Sequence, residues 1–240
     1  MSDNIIFNPR PQIQPIHFPN GQACLIVDDA LVNPDALLQL AIEQSHAFQP
    51  APFNAYPGVQ LPMGPEISNR LDEFFRVHIR GWLNARRTLR MHSRLAMVTL
   101  KPEELQARQW ICHRDSAGLA PSQCIAASVL YLFRDPTLGG TNFYMPKKSA
   151  QETSLLVHDS GTSSNVMFAQ KYGIQPGYSS ASNAYFEKIY TVPAKWNRMI
   201  FYDGSIFHSG EIPHPEKMNA NPLSGRLTLN GFFTCSRNAV

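Results

Sequence analysis

The sequence predicts a mainly β fold, a sandwich or jelly roll with helices packed on one face. Two observations carry this. Short apolar runs bounded by Gly, Pro, Asn and Asp recur through the second half of the chain. Two amphipathic segments with helix-start signals precede them. A length of 240 residues suits one well-cored domain, and 43% hydrophobic with 16% charged residues excludes a disordered chain.

Residues 1–20 are rich in Pro, Asn and Gln and predict an irregular arm. Residues 22–27 (QACLIV) form an apolar run suited to a strand. Asn33 then serves as an N-cap, Pro34 takes the first helical position, and Leu37, Leu38, Ala41 and Ile42 recur on one face. A helix to about residue 45 follows. Residues 46–65 hold several prolines and glycines and read as loop. Ile67, Leu71, Phe74, Phe75, Ile79 and Trp82 recur at helical spacing, so a second helix is expected over about 65–85, with its aromatics in the core. Basic residues gather over 76–94, which fits a solvated helix face followed by a strand better than a phosphate track. A net charge of +3 is too mild to indicate nucleic acid.

Residues 21–87 thus read as a strand with supporting helices, and 88–240 as the β core with an insertion at about 146–194. Strands are expected at 88–100, 105–113, 128–133 and 141–145. Within the insertion, 154–159 suits a short strand, 165–172 a helix and 185–190 a second short helix. This segment reads as a lid or wall for a substrate, with a peripheral decoration as the competing reading. Residues 196–213 read as strand, Asp-Gly turn and strand, with His208 on the second strand, and 223–233 closes the sheet.

The chemistry concentrates in a few residues. His113 and Asp115 stand two apart at the end of a segment read as extended, and in a strand such positions share one face. His208 follows downstream, and Arg226 after it. Two histidines and one carboxylate that leave positions open suit non-haem Fe(II) and O2 chemistry. The histidines at 17, 46, 78, 92, 158 and 214 lack this context, and His214 sits in a turn (PHPEK). The four cysteines, Cys24, Cys112, Cys124 and Cys235, show no C-x-x-C and suit free thiols in a reducing compartment.

Five motifs occur in order: HRD (His113, Arg114, Asp115), VLYLF (129–133), GGTNFY (139–144), MIFYDGSIFHSG (199–210) and GRLTLNGFF (225–233). In them the chain resembles the Fe(II)- and 2-oxoglutarate-dependent dioxygenases, in the branch similar to prolyl 4-hydroxylases. The resemblance implies a double-stranded β-helix, the cupin-like jelly roll. It implies His113, Asp115 and His208 as ligands of Fe(II) and as the catalytic centre, with 2-oxoglutarate and O2 as cosubstrates and ascorbate as an optional addition. Arg226 would hold the far carboxylate of 2-oxoglutarate through its planar fork. Its distance from His208 is longer than usual in the family, and the segment HPEKMNANPLS accounts for the extra length. Tyr131 and Thr228 would add hydroxyl contacts to the same carboxylate, although each also reads as an ordinary strand residue. Gly139 and Gly140 would shape the backbone before a strand.

Hydroxylation of an amino acid, peptide or natural product, releasing succinate and CO2, is the default reaction the resemblance implies, with desaturation, cyclisation and demethylation open beside it. Asp115, present where halogenating variants lack a carboxylate, argues against halogenation. A cupin-like metal enzyme without 2-oxoglutarate, a binding module with a vestigial site and a zinc hydrolase are the alternatives. Tyr178, Tyr185, Trp196 and Phe207 could form an aromatic wall for the substrate. Small-molecule or peptide substrates, no nucleic acid, no membrane and a monomer or homodimer are the expected partners. No run of about 18 apolar residues and no signal-like N-terminus occur, so a cytoplasmic location is expected.

Overall fold

The computed structural model describes residues 5–51, 56–116 and 118–237. The strands are β1 (Ile13–His17), β2 (Ala23–Val27), β3 (Gln49–Pro50), β4 (Gly58–Pro62), β5 (Ala85–Val98), β6 (Gln123–Tyr131), β7 (Thr141–Pro146), β8 (Phe186–Val192), β9 (Met199–Asp203), β10 (Phe207–Gly210) and β11 (Leu227–Arg237). The α-helices are α1 (Pro34–Glu43), α2 (Pro65–Phe74), α3 (Ala150–Thr162) and α4 (Asn165–Tyr172).

Eight strands form one sheet in the order β1-β2-β9-β6-β11-β5-β4-β3, and three form a second in the order β10-β7-β8. Every pairing among these strands is antiparallel. His113 makes an antiparallel bridge to His208 and so occupies the free edge of the small sheet, where a fourth strand would lie. From β5 onward the chain passes between the two sheets: large at β5, small at His113, large at β6, small at β7 and β8, large at β9, small at β10, large at β11. That winding is a jelly roll.

Strand alternation divides the core into two layers. Leu25, Val27, Leu95, Met97, Leu130, Met199, Phe201, Leu229 and Phe233 face the helices, where Leu37, Ala41, Leu71 and Phe75 meet them. The intervening residues Cys24, Ile26, Val98, Ala127, Tyr131, Ile200 and Tyr202 face the small sheet, with Phe143 and Val192 opposite. A third cluster lies around the outer face of the small sheet, where α3 and α4 bring Leu156 and Phe168 to Tyr144, Phe186, Trp110 and Phe207. Burial of apolar surface on both faces of each sheet is the main force holding these layers together.

Several expectations are corrected. The arm at 1–20 contains β1, paired along its length with β2. The loop at 46–65 contains β3 and β4, and β4 pairs with β5. The second helix begins at Pro65 as expected, but it passes into a π-turn at Phe75–Ile79 and a tighter 3-10 turn at Arg80–Leu83. Trp82 there is 55% exposed instead of buried. Residues 105–113 are not a strand. Ala107–Gln109 forms a 3-10 turn closed by Gln106 and Gln109. Residues 154–159 belong to α3, started by Ser149 and Glu152 in a reciprocal capping box. Residues 185–190 lie largely in β8 and not in a helix.

Candidate metal and anion site

A recess between the two sheets gathers the chemistry. Its walls include His113, Asp115 and His208, with Arg226 just before β11 and Thr228, Asn230 and Phe232 on it. Residues 113 and 115 meet here without a strand between them. The backbone N–H of His113 donates to the His208 carbonyl at 2.9 Å, and that of His208 returns to His113 at 2.8 Å. The Asp115 N–H donates to the Gly204 carbonyl at 2.7 Å. At Gly204, in the turn before β10, a Cβ would lie 2.9 Å from Ile125 and 3.1 Å from Asp115. The DG turn thus sets the carboxylate at its level.

The side chains converge. His113 Nε2 lies 3.8 Å from Asp115 Oδ1, and His208 Nε2 lies 3.6 Å from Asp115 Oδ2. One ligand atom from each of the three residues falls within 4.8 Å of the others. Donors around one first-row cation are separated by about 3 Å, so a small closure brings all three onto a single ion. Asp115 Oδ2 is buried and has no hydrogen-bond partner among the described residues. A buried carboxylate oxygen left open calls for a cation. His208 Nδ1 meets the Ile206 carbonyl at 2.9 Å, which places the proton there and leaves Nε2 as the free donor atom. Partial desolvation, and then the neighbouring His208, lowers the His113 pKa, although its side chain is 54% exposed, and both favour the neutral imidazole that ligates a metal. This donor set fits Fe(II) with positions left open.

Arg226 is 4% exposed. Its Nε donates to the Gly139 carbonyl at 3.1 Å and its Nη2 to the Gly140 carbonyl. Neither glycine tolerates a side chain. Gly139 has φ +80°, and a Cβ would lie 2.1 Å from the Glu211 carbonyl oxygen, or at Gly140 1.9 Å from that of Val192. The glycine pair therefore holds the guanidinium as well as the turn. Phe133 packs against it at 5.7 Å. Lys195 and Arg198 are both paired with Asp28.

Thr228 lines the recess and donates to the Ala96 carbonyl at 3.3 Å. Tyr131 does not line it. Its hydroxyl bonds Thr141 Oγ1 at 2.8 Å, and Thr141 forms part of the wall. Of the four aromatics expected as a substrate wall, Tyr178 lines the recess, anchored through its hydroxyl to the Leu100 carbonyl at 2.6 Å. Tyr185 and Phe207 pack with the outer cluster, and Trp196 lies 3.9 Å beneath Arg134. Arg114 is exposed, 5.2 Å over Phe207, and Cys112 is buried in the outer cluster. His214 pairs with Glu216 on the surface.

Sequence reasoning missed Tyr56, Arg94 and Gln109, which also line the recess. Among the described residues, Gln109 Nε2 and Arg94 Nε are buried without a hydrogen-bond partner. Burial raises the Tyr56 pKa against the opposing pull of Arg226 and Arg94. The alternation of β5 was the available signal for Arg94, since Leu95 and Met97 face the helices and leave 94, 96 and 98 for the other side.

A family model described as a family of unknown function (DUF6445) matches residues 9–233. The chain belongs to this family. Among curated proteins, none matches this DUF6445 member in sequence. In structure it is similar to the non-heme alpha ketoglutarate dependent epimerase SnoN from nogalamycin biosynthesis, at 11% identity and TM-score 0.45, over 89% of this chain and 80% of that one. It is similar to HygX from Streptomyces hygroscopicus with nickel and 2-oxoglutarate bound, at 12% identity and TM-score 0.47, over 90% and 83%. It is also similar to EvdO2 from Micromonospora carbonacea var. aurantiaca complexed with 2-oxoglutarate, at 9% identity and TM-score 0.41, over 96% of each. No helix among the described residues is long and apolar enough to cross a membrane.

Proposed function

We propose that this DUF6445 protein is a non-haem Fe(II)- and 2-oxoglutarate-dependent oxygenase that hydroxylates an unactivated C–H bond of an amino acid, peptide or natural product. One observation carries the reading: His113, Asp115 and His208 converge in a recess that also holds the braced guanidinium of Arg226. Iron bound there supplies O2 activation and the oxidative decarboxylation of 2-oxoglutarate to succinate and CO2.

The chain's residues do the rest. His113, Asp115 and His208 would hold the metal and, being three ligands, would leave room for cosubstrate and O2. Arg226, with two donors spent on glycine carbonyls, keeps Nη1 for the distal carboxylate of the cosubstrate. Thr228 stands beside it on the same strand face, and Tyr131 steadies Thr141 in the wall. Tyr178 bounds the recess from the insertion and helps exclude water from it.

The test is equilibrium binding of Fe(II) without oxygen. One tightly bound ion per wild-type chain, lost in His113→Ala and in His208→Ala, is expected. Tight stoichiometric iron in either variant would remove the triad from the account.

A further inference from the structure

Arg94 pairs directly with no acidic side chain among the described residues. It lies on β5 directly across from Asn230 of β11, on the face that lines the recess. Its guanidinium carbon sits 4.7 Å from the centre of the Phe232 ring. Its Nε is buried and has no hydrogen-bond partner. Asp115 and Tyr56 act on it only through space, without a contact. A guanidinium stays charged at any ordinary pH, so its position is costly unless an anion completes it. Arg226 differs, because two of its donors are already satisfied by Gly139 and Gly140.

The recess's charge balance says what is missing. With the proposed contents, the dication, the Asp115 carboxylate, the dianion of 2-oxoglutarate and Arg226 cancel. Arg94 is left as one uncompensated positive charge. Position separates the two arginines. Arg226 stands just before β11, four residues from Asn230 and about 13 Å away along an extended chain, so the backbone of Arg94 beside Asn230 starts well away from that of Arg226, while both guanidinium groups act on Tyr56. Gln109, with its Nε2 unpartnered, lines the same cavity and offers a neutral donor. Phe232 gives an apolar face next to it.

We propose that Arg94 binds a carboxylate of the substrate, so that the substrate is an organic acid anchored at the β5 side of the recess. The proposal rests on the oxygenase reading above and names its substrate class. Arg94 then sets which carbon faces the triad, since the acid group fixes one end of the molecule.

The experiment uses the full chain loaded with Mn(II) and 2-oxoglutarate. Proton relaxation of three small acids, phenylacetate, hexanoate and N-acetylglycine, is compared with that of their neutral amides. At least one acid is expected to be relaxed by the metal and to bind about tenfold or more tighter than its amide, as a charge-assisted pair requires. Arg94→Gln is expected to bring that acid to the level of its amide while 2-oxoglutarate affinity stays within about threefold, and Arg94→Lys to keep part of the preference. The acid–amide comparison in the wild type stands even where a variant folds poorly. Equal binding of acid and amide, or no binding of any acid at millimolar concentration, overturns the proposal. So does a large loss of 2-oxoglutarate affinity in Arg94→Gln, which would make Arg94 a cosubstrate residue and leave the oxygenase reading intact. A metal-loaded chain that binds no 2-oxoglutarate would remove that reading and this proposal with it.

Discussion

His208 is fixed at three points: its N–H and its carbonyl both pair with His113, and its Nδ1 meets the Ile206 carbonyl. This makes its Nε2 a donor aimed by backbone, with little rotamer freedom left to spend on binding. Arg226 is fixed in the same way, so removing it should act on the cosubstrate and not on iron. Arg226→Ala is expected to raise the apparent KM for 2-oxoglutarate at least about tenfold with Fe(II) affinity unchanged, as loss of a charge-assisted contact gives. Steady-state kinetics beside anaerobic iron titration would decide it. Tyr131 reaches the recess only through Thr141. Tyr131→Phe should therefore weaken 2-oxoglutarate binding only a few-fold, less than Arg226→Ala, and an equal loss would mean that its hydroxyl meets the carboxylate directly. The order of His113, Asp115, His208 and Arg226 was legible in the sequence because each stands in a short motif. Arg94 was not, because it closes a run of basic residues that reads as a solvated face.

At the scale of elements, helix starts were legible and changes of pitch were not. α1 and α2 begin at Pro34 and Pro65, where proline's fixed φ favours the first turn. The π-turn after α2 is set by packing. It carries Phe75 onto Phe233 with ring centres 4.0 Å apart, near Phe201. Phe75→Ala should cost about 3–5 kcal/mol of stability in urea unfolding, with the spectrum of any bound metal unchanged. The apolar run Leu155, Leu156, Val157 suggested a strand, but the capping signal at Ser149 and Glu152 outweighs a three-residue run. In β8 the β-branched Ile189, Thr191 and Val192 were the neglected signal. Asp28, at the end of β2, joins Arg198 and Lys195 at the start of β9. The Arg198 hydrogen bond, with help from Lys195, holds its pKa at about 2, below the ordinary 3.8. A depressed carboxylate stabilises the fold above the unfolded value and loses that contribution as pH falls through about 2. Asp28→Asn should flatten the pH dependence of unfolding between about 4 and 2, and an unchanged curve would show that the pair contributes nothing measurable.

At the scale of the molecule, two sheets wound from one chain bring distant segments to one place. Residue 113 reaches 208 because it fills the open edge of the small sheet, and Arg226 reaches Gly139 and Gly140 because β11 runs beside β6 at the mouth of the same sandwich. The jelly roll was legible from the spacing of strands, whereas the edge strands β1 and β3 and their neighbour β4 were not, since their Pro- and Gln-containing sequences lack alternation and are fixed by pairing with neighbours. The central claim is that this arrangement holds iron with sites left open for a 2-oxoacid. An oxygen-free titration of the metal-free chain with Fe(II) and then 2-oxoglutarate, followed by visible absorption, addresses it most directly. A weak metal-to-ligand charge-transfer band is expected on adding 2-oxoglutarate, absent in His208→Ala. Stoichiometric iron with no band at saturating 2-oxoglutarate would contradict it and leave a metal site that does not take this cosubstrate.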